Sequence, residues 1–292
     1  MNKIAIAILT RKPSSELISF YKKMIDKDHD LFIIVDDNNH KISNHDNITY
    51  IYSKESDCIK LGYTLFNPQI PLKTKDNEYH GSSCSAWEKA LMYFCTINRK
   101  YGHVWFIEDD VFIPKSSLVS EIDKMYPLTD LLCPSSTINK SGRVDDWYWW
   151  DHVPKKILPL PWSNSMVCAV RMSNKLLSII SSFTEKNKAE NKMIEYIFTT
   201  LALHNKLEIK TIKQLAGIVW RKEWKINEID ENTFYHPIKS IARQEEYRRN
   251  LIQPRQLRMK ESTRFQKFIN FILRNVNAKY YNLKIFINRK LK

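Results

Sequence analysis

Three consecutive carboxylates, Glu108-Asp109-Asp110, close the apolar run at 104–107 in the segment WFIEDDVFIP. Crowding three negative charges at the end of a buried strand is costly unless a cation neutralises them. Hard cations such as Mg2+ or Mn2+ take oxygen ligands, commonly one or two carboxylates plus substrate phosphates. A metal at this turn can therefore bridge the protein to a diphosphate. The plainer reading of a bare acidic triplet is an exposed turn paired with Lys or Arg, and the buried strand before it argues against that.

Other residues of the right chemistry follow other strand-like runs. Thr10 and Arg11 follow the run at 4–9, and Asp36-Asp37 closes the run at 31–35. An Arg there is placed to meet phosphate or simply to face solvent. An Asp pair after a strand is also a common turn or helix cap. Lys239 is a further candidate for phosphate contact, three residues beyond His236 in the segment FYHP.

The elements that position these groups read as α/β. The continuous β-prone runs at 4–9 and 31–35 suit strands covered on both faces, as in a parallel sheet under helices. Pro13 opens a helical pattern through Leu17, Ile18, Tyr21, Met24 and Ile25, and a third strand is expected at 48–52. This β-α-β-β order is the first half of a nucleotide-binding sheet, in which ligands sit beyond the carboxyl ends of the strands, here near Thr10, Arg11, Asp36 and Asp37. A helix is expected at 87–98 ahead of the strand at 104–107. A loop rich in Pro, Trp and turn residues follows at 134–163, then a strand at 166–170, a helix at 188–204 and a strand at 207–212. On a helix spanning 188–204, Glu190 shares a side with Met193, Ile197 and Leu201 near the helix start, where the dipole favours a carboxylate.

WFIEDDVFIP resembles the DxD-type metal turn of GT-A glycosyltransferases, and its Glu-Asp-Asp form is similar to that of N-acetylglucosaminyltransferases. The upstream GSSCSAWEKALMYF resembles the helix feeding that strand in the same fold. The resemblance covers roughly residues 3–240 as an ordered set of elements and implies a Rossmann-like, mostly parallel sheet flanked by helices. It implies a hexosyl- or N-acetylhexosaminyltransferase that uses Mn2+ or Mg2+ and a nucleotide-sugar donor, UDP-sugar first, with a glycan acceptor. Asp110 is then the direct metal ligand, while Glu108 and Asp109 contact the ribose or hold metal-bound waters. Asp36 or Asp37 would contact uracil or ribose, and His236 would serve the metal or diphosphate. EYIFTTL, residues 195–201, resembles the PDE-x-x-x-x-T-L segment of branching N-acetylglucosaminyltransferases and xylosyltransferases, in which the Glu is the base. Met193-Ile194 stands here in place of Pro-Asp. Glu195 ranks first and Glu190 second as the base of an inverting transfer, which takes the acceptor hydroxyl's proton while the diphosphate leaves from the opposite face. Trp147, Trp149, Trp150 and Trp162 can stack on the apolar faces of an acceptor sugar, or equally plug the sheet.

Composition bounds the alternatives. The net charge of +14 is concentrated in residues 254–292, which hold eleven Lys or Arg against the single acid Glu261. That leaves +4 for the rest, modest for a domain handling phosphates. No RNP, zinc-finger, helix-turn-helix, Walker or GxGxxG signature accompanies the charge, so specific nucleic-acid binding is not expected. A sugar-1-phosphate nucleotidyltransferase would share the fold, but its glycine-rich loop after the first strand is here Thr10-Arg11-Lys12-Pro13. A non-catalytic glycan-binding protein is the remaining rival. Five scattered cysteines without a CxxC pair suggest a reducing, cytoplasmic setting. Domains are expected at 1–240, catalytic, and 241–292, a basic helical tail. In that tail Phe265, Phe268, Ile269 and Ile272 follow helical spacing, so it either docks on the catalytic domain or makes peripheral contact with an anionic membrane.

Overall fold

The computed structural model describes residues 3–40, 47–64, 84–188, 190 and 192–252. In chain order its elements are β1 (Ile4–Thr10), α1 (Ser15–Lys22), β2 (His29–Val35), β3 (Ile48–Ile51), α2 (Glu55–Leu61), α3 (Ala86–Met92), β4 (His103–Glu108), α4 (Leu118–Met125) and β5 (Leu131–Cys133). They continue with β6 (Thr137–Asn139), β7 (Trp162–Asn164), β8 (Ala169–Ser173), α5 (Asn174–Lys186), α6 (Ile194–His204), β9 (Ile209–Thr211), β10 (Gly217–Ile218), β11 (Tyr235–His236) and α7 (Ile241–Ile252). Residues up to Glu245 form one compact unit. The segment 254–292, and with it the expected amphipathic tail, lies outside the described residues.

The main sheet has seven strands in the order β3-β2-β1-β4-β8-β5-β9. β3, β2, β1 and β4 run parallel, and β8 lies antiparallel between β4 and β5. The expected α/β class, a mostly parallel sheet flanked by helices, is the observed one. Strand alternation explains how one chain covers both faces. Ala5, Ala7 and Leu9 of β1 join Phe32 and Ile34 of β2 in a core closed by Trp87, Ala90 and Leu91 of α3, Leu176 and Ile180 of α5 and Phe198 of α6. Ile6 and Ile8 join Ile33 and Val35 in a second core under Leu17 and Ile18 of α1 and Val119 and Ile122 of α4. Order departs from β1 in two directions, through β2 to β3 on one side and to β4 on the other. That reversal makes a crevice at the carboxyl ends of β1, β2 and β4.

Local sequence sets the helix starts. Ser14 caps α1 by accepting from the Leu17 amide, and Ser85 with Glu88 forms a reciprocal capping box on α3. α3 then widens into a π turn at Tyr93–Ile97. The helix expected at 188–204 divides differently. α5 ends at Lys186, and α6 begins only at Ile194. Between them the Lys192 ammonium donates to the carbonyls of Asn187, Lys188 and Glu190 at 2.8, 3.2 and 2.7 Å.

A buried ionic cluster ties β4, β8 and α4 together. Arg171 of β8 is fully buried, pairs in register with Trp105 of β4, and donates to Asp123 at 2.5 Å and to the carbonyls of Tyr126 and Thr129. Asp123 also accepts from Trp105 at 3.1 Å and contacts His29 Nε2 at 3.0 Å. Burial works against protonation of His29, but Asp123 and Asp26 outweigh it and raise its pKa. Breaking one partner of such a cluster strands a buried charge. Asp123→Ala should cost about 3–5 kcal/mol of stability by denaturant unfolding, with much of it recovered in Asp123→Leu/Arg171→Met. A loss below about 1 kcal/mol in the single variant would show the cluster to be dispensable.

Candidate active site

The crevice holds the acidic turn. Glu108 is the last residue of β4, and its two followers turn back under backbone control: Asp109 N donates to Leu9 O and Val111 N to Glu108 O, both at 3.0 Å. The segment after the turn is gripped by β11, since Phe112 and Tyr235 exchange amide bonds of 2.8 and 3.0 Å and Ile238 N donates to Asp110 O at 2.7 Å. β11 pairs in turn with β10, where Gly217 permits close approach: a Cβ there would stand 2.3 Å from the Phe234 carbonyl. These contacts carry His236 to the acidic turn across more than a hundred residues of sequence.

Each carboxylate has a distinct environment. Asp109 accepts from Thr10 Oγ1 at 2.5 Å, and its carbonyl accepts from Gln244 at 2.9 Å. Glu108 Oε1 accepts from Trp87 Nε1 at 2.7 Å, while Oε2 stands 3.9 Å from His236 Nε2. Asp110 Oδ1 is buried, makes no hydrogen bond among the described residues, and lies 3.4 Å from the same Nε2. The His236 ring, buried itself, places Nδ1 3.0 Å from the Val219 carbonyl. With the proton on Nδ1, the Nε2 lone pair faces Glu108 and Asp110, as in a metal-binding imidazole oriented by a backbone carbonyl. Burial raises the Glu108 and Asp109 pKa values, and Asp110's charge adds to both. A divalent cation would relieve that repulsion and satisfy the orphaned Asp110 oxygen. Asp110, His236 and Glu108 are residues that could hold one.

Glu195 occupies the first turn of α6, whose amino end is tied to the β7–β8 loop by Ser165 N donating to the Glu195 carbonyl at 3.0 Å. Burial, and then the charge of Glu108, lift its pKa from 4.5 to about 7. Glu190, the second candidate, sits in the loop before α6, not on a helix face shared with Ile197 and Leu201, so that wheel argument does not hold. The Glu195 shift has a consequence for folding. A raised carboxylate pKa costs nothing below 4.5, where the group is protonated in both states, and the cost grows as pH rises through 7. Glu195→Gln should therefore leave the melting temperature unchanged near pH 4 and raise it near pH 8, by at most on the order of 3 kcal/mol of stability. Equal melting shifts at both pH values would contradict the placement of its charge.

The other candidates divide. Thr10 and Asp36 meet at the strand ends, Asp36 N donating to Thr10 O at 2.9 Å, and the Asp36 carboxylate pairs with the buried Lys89 ammonium at 3.1 Å. Asp37 forms a turn instead: its side chain accepts from Asn39 N and pairs with Lys12 at 3.2 Å, and those contacts hold its pKa low. Arg11 is exposed beside it. Lys239 is exposed on a cleft of about 400 Å3 shared with Arg221, Lys222 and Arg243. Trp150 and Trp162 are buried and stacked on each other at 5.9 Å, so they pack the core and cannot offer a face to a sugar. Trp147 and Trp149 are half-buried and keep partial access. Sequence reasoning passed over Trp87, Lys89, Gln244 and Cys168. All four act on the site from helices or a loop whose nearness to the turn only the packing reveals.

No protein-family model matches the chain, and no curated protein matches it. Among solved structures, the galactosyltransferase LgtC in complex with donor and acceptor sugar analogues aligns with TM-score 0.44 at 12% identity, over 88% of this chain and 99% of that one. A 4-diphosphocytidyl-2C-methyl-D-erythritol synthase from Anaerococcus prevotii aligns with TM-score 0.39 at 14% identity, over 72% and 87%. Mouse xyloside xylosyltransferase 1 gives 0.34 at 8%, over 73% and 85%. At these scores the likenesses say nothing about which residues act.

Proposed function

We propose that the chain is a metal-dependent, inverting glycosyltransferase that moves a sugar from a nucleotide-sugar donor, UDP-sugar first, to a glycan acceptor, free or carried on lipid or protein. The observation that carries this reading is the meeting of the orphaned Asp110 oxygen with the His236 Nε2 lone pair at the sheet's switch point, the usual seat of a nucleotide in such sheets. When bound there, Mn2+ or Mg2+ would neutralise the charge on the departing diphosphate. Asp110 and His236 would hold the ion, and Glu108 and Asp109, fixed by Trp87 and Thr10, would meet ribose or waters on the metal. Asp36, the residue after β2, would contact the base or ribose. Glu195, half deprotonated near neutral pH, is matched to removing a proton from an acceptor hydroxyl. Trp147 and Trp149 are the aromatic surfaces left for the acceptor. No helix among the described residues is long and apolar enough to cross a membrane.

The test is a panel of nucleotide sugars incubated with the full chain and Mn2+, with and without simple glycan acceptors. Release of nucleoside diphosphate from one donor, and a transferred sugar whose anomeric configuration is inverted by NMR, are expected. Retention would remove Glu195 as base, and inertness toward every donor would remove the transferase reading.

A further inference from the structure

A thiol completes the donor set at the acidic turn. Cys168 precedes β8, and its carbonyl accepts from the Glu108 amide at 2.9 Å, which fixes the cysteine backbone against the end of β4. Its Sγ, a Glu108 carboxylate oxygen and a His236 ring nitrogen all lie within 4.8 Å of one another. Asp110 Oδ1 stands 3.4 Å from His236 Nε2, beside that group of three and not within it. A tetrahedral ion with bonds of about 2.0–2.3 Å sets its ligand atoms about 3.3–3.8 Å apart, so the three donors can close on one by side-chain shifts on the order of 1 Å. The supporting contacts are already made, by Val219 O to the His236 ring and by the Trp87 indole to Glu108.

Hard cations gain nothing from a thiolate, whereas Zn2+ and Co2+ prefer sulfur and imidazole. We propose that Cys168, with His236 and Glu108, forms a three-ligand site for a thiophilic divalent cation such as Zn2+, and that its occupancy, by taking His236 and Glu108 away from Mn2+, blocks Mn2+-dependent nucleotide binding. Coordination by sulfur releases the thiol proton to the buffer. The inference rests on the acidic turn being the metal centre of the proposed transferase. It adds a regulatory state: a thiophilic ion competes with Mn2+ and shuts the enzyme off.

Co2+ added to the full chain reads the ligands directly. The native protein should show a thiolate-to-cobalt charge-transfer band in the near ultraviolet, bleached by equimolar Zn2+. Cys168→Ser should bind Co2+ without that band and hold Zn2+ at least about tenfold more weakly. Zinc-loaded native protein should fail to bind UDP in the presence of Mn2+ until the zinc is chelated. Co2+ bound to native protein without the band, or a band that persists in Cys168→Ser, overturns the thiolate ligand. UDP binding that survives zinc loading overturns the block. Failure of the native protein to bind Co2+ at all instead refutes the metal centre itself. Cys168→Ala serves if the serine variant does not fold, and the spectrum of the native protein decides the matter without either.

Discussion

Glu195→Gln should lower the rate of sugar transfer by roughly 10²–10⁴-fold while leaving donor binding intact, the range expected when a general base is removed. The side chain keeps its size and its place in the first turn of α6, and only proton acceptance is lost. Two signatures separate this role from a structural one. With the native residue kcat/KM should rise with pH through about 7, because the deprotonated form is the active one and burial with the Glu108 charge has lifted its pKa there. In the variant that limb should vanish. A variant that loses donor affinity in proportion to rate, or that keeps the acid limb, would mean the proton goes elsewhere.

Asp110→Asn should reduce turnover to background yet preserve the fold. The substitution keeps the shape and removes a negative charge and one hard oxygen ligand, on which a divalent ion depends. It also relieves repulsion with Glu108 and Asp109, whose pKa values Asp110 raises. The metal-free variant should therefore melt no lower than the metal-free native protein. Inactivity accompanied by a large fall in melting temperature would indicate a misfolded turn rather than a missing ligand.

The sheet and the acidic turn were legible in the sequence because both are local. Continuous apolar runs mark β1, β2 and β4, and Glu108-Asp109-Asp110 follows the last of them directly. The capping box of Ser85 and Glu88 sits in plain view before α3, at the helix expected from 87. α5 was overlooked although Leu176, Leu177, Ile180 and Thr184 carry a helical pattern. In place of the long helix expected at 188–204, α6 begins only at Ile194, and Lys192 donates to three carbonyls ahead of it, a contact no periodicity encodes. The tryptophans misled for a related reason: Trp150 and Trp162 sit in a polar, turn-rich stretch, yet β6 and β7 fold that stretch onto the core. The thiol of Cys168 and the indole of Trp87 reach Glu108 from sequence positions 60 and 21 residues away, so only the packing brings them to the turn.

Calorimetric titration of UDP into the full chain, with Mn2+ and then with chelator, compared between the native protein and Asp110→Asn, tests the metal-bridged nucleotide site most directly. Binding by the native protein that needs Mn2+ and is lost in Asp110→Asn is the expected result. Equal UDP affinity in both proteins, unchanged by Mn2+, would contradict it.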